Sequence, residues 1–277
     1  MSIFHAIVLG ITQGLSEYLP ISSSGHLILV PWLFGWDDFA GNDHLKKAFD
    51  VALHMGTLAG ALAYFRADVM RYSRASLRMI GHRDRSTVDG RIGWMLLLSA
   101  VPAALVGALL DSKIETLDDK IWLIAVMLIA LGLLLLIADR LTGKRQVYEF
   151  RVRDAVIMGT AQMIALQPGS SRSGLTITAG RWLGFDRDSA ARLSFLMALP
   201  IIAGAGVYKL ADVIANGGIP SELRGAFVAG MITSGITGWF AVWGMLRFVR
   251  TRTFTPFVVY RVAAGIGVLI LLSTSFR

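Results

Sequence analysis

Glu17 and His26 bracket the stretch Glu17-Tyr-Leu-Pro-Ile-Ser-Ser-Ser-Gly-His26 in a chain that is otherwise 55% hydrophobic. A carboxylate, three hydroxyls and an imidazole in so short a span are the groups that general acid–base or nucleophilic chemistry requires. A second polar stretch, Gln167-Pro-Gly-Ser-Ser-Arg-Ser-Gly-Leu-Thr176, contributes Arg172, a permanently charged planar fork suited to phosphate oxygens.

The two stretches read as copies of one element. A shift of 149 positions pairs Ala6 with Ala155, Gly10 with Gly159, Gln13 with Gln162, Ser22 with Ser171, Ser24 with Ser173 and Gly25 with Gly174. The copies differ in their chemistry: Leu166 and Leu175 stand where the first copy has Glu17 and His26, and only the second carries Arg172. One site shared between two halves would need such complementary groups.

Gln13 and Glu17 are four apart and share a helix face. A carboxylate in an apolar hairpin implies function by default. Oxygen donors from Glu, Gln and Ser suit Mg²⁺ or Ca²⁺ rather than zinc. The alternative for Glu17 is a helix cap or a pair with a loop lysine. Ser22, Ser23 and Ser24 precede a helix expected near His26, and Ser170, Ser171, Ser173 and Gly174 precede one expected near Leu175. Hydroxyls and free N–H groups at such a helix start hold anions, or serve only as caps. Asp50 and His54, four apart on the first full span, could pair within the membrane in support of the site. Arg261 is expected to snorkel to the surface, and Arg181, Asp186, Arg187 and Asp188 to form a solvated hairpin end.

These residues need a scaffold, and composition defines it. With 277 residues, 17% charged, and a mean hydropathy of +0.60, the chain belongs in a bilayer. No cysteine is present, which excludes disulfides and thiolate chemistry. The first apolar stretch has no basic n-region or small-residue cleavage site and reads as retained. Six stretches reach spanning length, at about 48–65, 92–110, 121–138, 190–210, 225–246 and 254–273. Four shorter ones, 3–17, 26–35, 154–166 and 175–184, flank the polar stretches in pairs, as re-entrant hairpins would.

Loops 66–91, 139–153 and 247–253 hold fifteen Lys/Arg against five Asp/Glu, whereas 36–48, 111–120 and 211–224 hold five against nine. The positive-inside rule makes the basic side cytoplasmic and accounts for the net charge of +8 without nucleic acid. Three spans per half invert the second half. The expected fold is therefore an all-α integral membrane protein, one membrane domain over 1–277. It has six transmembrane helices and two re-entrant helical hairpins in an inverted-topology repeat, at about 1–138 and 153–277. Transporters share that architecture, so a lipid carrier is a rival to an enzyme.

Gln13-Gly-Leu-Ser-Glu17, Leu19-Pro-Ile-Ser-Ser-Ser-Gly-His26 and Pro168-Gly-Ser-Ser-Arg-Ser-Gly-Leu-Thr176 closely resemble the undecaprenyl-diphosphatase family, the bacterial bacitracin-resistance proteins, over essentially the whole chain. The resemblance implies an inner-membrane phosphatase that uses a divalent cation, opens toward the periplasm, and recycles undecaprenyl phosphate for peptidoglycan synthesis. By motif position it assigns Gln13 and Glu17 to the cation. Ser22, Ser23 and His26 fall in one phosphate motif, and Ser171, Arg172, Ser173 and Thr176 in the other. Its pattern allows Gln at position 13, at the loss of one charge, and His54 stands where glutamine is common in the family. The nucleophile stays open between Ser23, His26 and a cation-bound water, with Ser23 preferred as the side chain. Homodimerisation is also open. The acid-phosphatase-like lipid phosphatases share Ser-Gly-His and Ser-Arg elements but need a histidine soon after the arginine, and no histidine follows His82.

Overall fold

A backbone that crosses a bilayer must satisfy its own hydrogen bonds, and this chain does so with helices. The computed structural model describes residues 1–39, 41–81, 87–117, 119–215, 218–274 and 276. In order come α1 (Ile3–Tyr18), α2 (Ser23–Phe34), α3 (Asp43–Tyr64), α4 (Arg66–Gly81), α5 (Val88–Glu115) and α6 (Ile121–Asp139). A short 3-10 turn, Val147–Glu149, precedes α7 (Val152–Ile164), α8 (Arg172–Trp182), α9 (Arg187–Ala215), α10 (Ser221–Val249) and α11 (Thr255–Ser273). Among the described residues, α5, α6, α9, α10 and α11 are each long and apolar enough to cross a membrane; α3 and α4 meet that criterion only when taken together, and the chain bends by 82° between them. The chain is thus an all-α, multi-pass membrane protein.

The first part of the basic segment 66–91, expected to be loop, is the helix α4. Four arginines between residues 66 and 78 depress its hydropathy, yet Tyr72 and Ser76 recur at helical spacing and are buried. Ser76 Oγ donates to the Gly90 carbonyl at 3.1 Å, seating α4 on α5.

Helices of the two halves pack crosswise. α1 rests on α10, and α7 rests on α5. Glycine permits both approaches: a Cβ at Gly10 or Gly14 would collide with Thr233 or Thr237, and one at Gly159 with the Ser99 carbonyl. Gly56 of α3 meets Ser234 of α10 in the same way. Close backbone contact of this kind replaces the hydrophobic drive that lipid removes.

Polar ties gather one end of the molecule. Buried Asp139, closing α6, accepts from Arg187 Nε at 2.5 Å and from the Phe254 N–H at 2.9 Å. Arg192 of α9 donates to Asp68 of α4 at 2.6 Å. Arg181, expected in solvent, is 3% exposed and donates to the carbonyls of Phe185 and Leu141. It lies in the last turn of α8, where a guanidinium satisfies carbonyls that have no helical partner.

Candidate active site

Each break ends in a strained serine. Ser22 and Ser171, at φ of 80° and 68°, are the non-glycine residues with positive φ among those described. Each is an N-cap, its hydroxyl accepting from the N–H three residues on, Gly25 at 3.3 Å and Gly174 at 3.1 Å. A side chain held in this region stores strain, which neighbouring structure must hold in place. Because the caps fall at Ser22 and Ser171, the helices begin at Ser23 and Arg172, three residues earlier than expected. Ser23 and Arg172 therefore occupy equivalent first positions on two helix N-termini, where the backbone favours anions.

Those two first positions meet at Glu17, which is 5% exposed. Arg172 donates to Glu17 Oε1 at 2.6 Å, Ser23 Oγ donates to Oε2 at 2.5 Å, and Gln13 Nε2 donates to Oε2 at 3.0 Å. His54 Nε2 stands 3.5 Å from the same Oε2. The carboxylate, the hydroxyl and the guanidinium assigned to chemistry from sequence are thus one hydrogen-bonded group. The arginine comes from the second break and the rest from the first half of the chain.

Gln13 is fully buried, and its Oε1 has no hydrogen-bond partner among the described residues. Its amide orientation follows from Nε2 facing the carboxylate, which leaves the oxygen as an unclaimed hard donor. With one carboxylate and a hydroxyl beside it, the donor set fits a hard divalent cation. No group of three or more His, Asp or Glu forms among the described residues, so the protein ligands to such an ion would be few. That is the usual situation for Mg²⁺ shared with substrate phosphates.

Other expected site residues are placed differently. His26 does not bond Ser23; its Nδ1 faces the Ser22 carbonyl at 2.6 Å and its Nε2 the Tyr260 hydroxyl at 2.6 Å. A carbonyl only accepts, so Nδ1 carries the proton and Nε2 accepts from Tyr260. The expected Asp50–His54 pair is not made through the Asp50 carboxylate: His54 Nδ1 bonds the Asp50 carbonyl at 2.7 Å, and the ring turns to Glu17 instead. Asp50 lines a separate cavity with Asp37, Asp38 and Asp43.

The expected phosphate-binding set also divides. Ser22 and Ser171 spend their hydroxyls on the caps. Ser173 Oγ donates to the Leu19 carbonyl at 3.0 Å, binding one break to the other. Thr176, fully buried, lies 2.6 Å from Ser194 Oγ, and Gly174 packs against Arg261. Ser24 is half-buried. Ser22, Ser171, Ser173, Gly174 and Thr176 therefore build the breaks, and Ser23, Arg172 and Glu17 face one another within them.

Arg261, like Arg181, lies where sequence reasoning did not place it. It does not snorkel: it is fully buried, and it donates to Pro20 of the first break, to Gly169 and Ser170 of the second, and to Met127 and Leu128 of α6. Among the described residues no carboxylate pairs with it. Its place in the interior of α11, as the seventh residue, was the available signal, since a side chain near a helix end is the one that reaches the surface.

Comparison with known proteins identifies the family of the chain. Residues 6–267 match the family model described as bacitracin resistance protein BacA. A protein of Pelobacter propionicus named undecaprenyl-diphosphatase is 44% identical over 276 residues, covering 99% of this chain and 98% of the relative. Another of that name from Geobacter sulfurreducens is 46% identical over 272 residues, covering 97% and 98%. A third, from Nocardioides, is 43% identical over 274 residues, covering 98% and 96%. The chain belongs to the bacitracin resistance protein BacA family.

Proposed function

We infer that this member of the bacitracin resistance protein family is an undecaprenyl-diphosphatase. It is a membrane phosphatase that hydrolyses undecaprenyl diphosphate to undecaprenyl phosphate and inorganic phosphate, recycling the lipid carrier for peptidoglycan synthesis and thereby giving resistance to bacitracin. The observation that carries the assignment of roles is the convergence on Glu17 of Ser23 from one break and Arg172 from the other.

In the mechanism we propose, Ser23 Oγ attacks the terminal phosphorus and passes its proton to Glu17 Oε2, already 2.5 Å away. The bond from that phosphorus to the bridging oxygen breaks, and undecaprenyl phosphate leaves with the electron pair. Undecaprenyl phosphate carries off that proton, which restores the Glu17 carboxylate; Glu17 then takes a proton from the attacking water as the phosphoserine bond breaks and returns it to Ser23 Oγ, releasing inorganic phosphate. Arg172, held by Glu17 before substrate arrives, offers its fork to the equatorial oxygens, where charge develops in phosphoryl transfer. The N-termini of α2 and α8 add backbone N–H groups. Gln13 and Glu17 would hold the divalent cation, Mg²⁺ or Ca²⁺, which when bound neutralises phosphate charge. His26 lies one turn beyond Ser23 on α2; with both ring nitrogens taken by Ser22 and Tyr260, it braces the start of the helix that presents Ser23.

We further propose that the two halves form an inverted repeat in the bacterial inner membrane, with the basic end cytoplasmic and the site open to the periplasm. The matched strained caps, Ser22 and Ser171, and the crosswise packing of α1 on α10 and α7 on α5 support this. The test of the enzymatic roles is phosphate release from undecaprenyl diphosphate by the purified chain and its Glu17→Ala, Ser23→Ala and Arg172→Ala variants. Near-normal turnover in all three would defeat the assignment.

A further inference from the structure

α4 leaves α3 at 82°, so it runs along the membrane face while α3 enters the bilayer. Its surface divides into three sectors. Tyr72 and Ser76 face the protein core. Met70, Leu77 and Ile80 are exposed by 51%, 66% and 69%. Arg71, Arg74 and Arg78, at helical spacing on the third sector, are also exposed. Arg71 reaches Asp68 at 3.2 Å and Asp89 at 3.6 Å, but Arg74 and Arg78 make no ion pair among the described residues. An apolar sector beside a basic one defines a helix that lies in the interface plane with its apolar side in lipid.

Beneath α4 lies a cavity of about 450 Å³, with Leu58, Leu62, Leu77, Trp94, Leu97 and Leu199 among its lining. Leu77 belongs to both features: it lines the cavity, and it neighbours Arg74 on the helix, with Arg78 one turn beyond Arg74 on the same basic sector. An apolar slot flanked by two guanidinium groups that have no ion pair among the described residues complements one kind of molecule, an acyl chain carrying an anionic headgroup. Free phosphate would match the arginines and leave the slot unfilled; a neutral phospholipid would fill the slot and leave the charges unmatched.

We propose that α4 and this cavity form a binding site for an anionic bilayer phospholipid, with one acyl chain in the slot and the headgroup phosphate on Arg74 and Arg78. The site is separate from the Glu17 cluster and takes a lipid that is not the substrate. Each arginine near an anionic headgroup is worth roughly five-fold in affinity, so the pair should give a clear preference for anionic over zwitterionic lipid.

Trp94 in the slot supplies the readout. The full chain is placed in phosphatidylcholine nanodiscs doped with phosphatidylglycerol or phosphatidylcholine brominated in the acyl chains, and tryptophan quenching is compared with that of Trp94→Phe. The component lost in Trp94→Phe should be quenched by brominated phosphatidylglycerol at roughly a fifth or less of the mole fraction that brominated phosphatidylcholine requires. Arg74→Gln/Arg78→Gln should abolish that preference while leaving phosphate release unchanged, which also shows that the variant folds. Equal quenching by the two lipids, or a preference that survives the double substitution, overturns the proposal. So does loss of the preference on adding inorganic phosphate at matched ionic strength, which would assign the arginines to free anion, or on adding undecaprenyl phosphate, which would assign the slot to the prenyl chain.

Discussion

Arg172 NH2 and Glu17 Oε1 lie 2.6 Å apart although 155 positions separate them in sequence. The pair joins the two breaks and holds the cationic fork where a phosphate would enter. Arg172→Ala should lower kcat/KM for phosphate release by about a thousand-fold or more, in the range of other arginines that face a transferring phosphoryl group. Arg172→Lys keeps the charge and loses the fork, so it should recover only part of the activity. Because both side chains contact each other, Glu17→Ala and Arg172→Ala should be strongly non-additive in a double-mutant cycle.

Ser23 Oγ has a carboxylate as its acceptor at 2.5 Å, so the hydroxyl and its base are already assembled. Ser23→Ala should reduce kcat by roughly a thousand-fold or more with little change in thermal stability, since residue 23 lies at the first position of α2 and the cap is Ser22. If Ser23 is the nucleophile, rapid acid quenching of wild-type turnover with substrate labelled in the terminal phosphate should trap label on Ser23. A wild-type reaction that leaves the chain unlabelled, with an Ala variant retaining a tenth of its rate, would move the attack to water.

Gln13 presents a buried oxygen with no hydrogen-bond partner among the described residues, beside the Glu17 carboxylate. A second carboxylate there raises the charge offered to a cation. Gln13→Glu should therefore lower the Mg²⁺ or Ca²⁺ concentration needed for half-maximal activity by about ten-fold, and Gln13→Ala should raise it. Chelation of divalent ions should abolish turnover in the wild type, and readdition should restore it. Titration of each variant with the two ions measures both effects.

Tyr260 holds His26 Nε2 at 2.6 Å from the otherwise exposed side of α11. Tyr260→Phe removes the donor and keeps the ring that stacks on the imidazole. The expected result is a fall in kcat/KM of about ten-fold, as for one hydrogen bond to an oriented group, with an unchanged melting temperature. A loss as large as that of Ser23→Ala would make Tyr260 a participant in the chemistry rather than a support for His26.

The carboxylate and the arginine of the cluster were legible in sequence because charge is costly in an apolar hairpin, so Glu17 and Arg172 stood out against their surroundings. The long apolar helices were legible for the same reason. α4 was hidden, since its arginines cancel its apolar residues in any average, and only helical spacing separates the faces. The misplaced residues, Arg181 and Arg261, share another cause. Both satisfy backbone carbonyls of segments distant in sequence, Leu141 for one and Pro20 and Gly169 for the other, and no local pattern announces such a partner. Ser22 and Ser171 read equally as caps or as anion ligands from sequence; the positive φ and the bond to Gly25 or Gly174 decide for caps.

Arg261 offers the sharpest separation of architecture from chemistry. A guanidinium at the centre of a membrane helix costs about 2.5–3.5 kcal/mol even where insertion is tolerated, so its carbonyl bonds must offset that cost. It donates to both breaks at once and touches none of Glu17, Ser23 or Arg172 through a hydrogen bond. Arg261→Met would strand the carbonyls of Pro20, Gly169 and Ser170, each unsatisfied buried group costing about 1–3 kcal/mol, and should fail to accumulate as folded protein. Arg261→Lys retains the charge and up to three donors. It should fold with a lowered melting temperature and let the breaks drift apart, so that kcat falls more than KM rises, because the attacking and charge-stabilising groups on α2 and α8 lose their mutual register. A folded Arg261→Lys variant with unaltered kcat would show that the two breaks keep their spacing without the clamp, and that the Ser173 bond to Leu19 suffices to hold them.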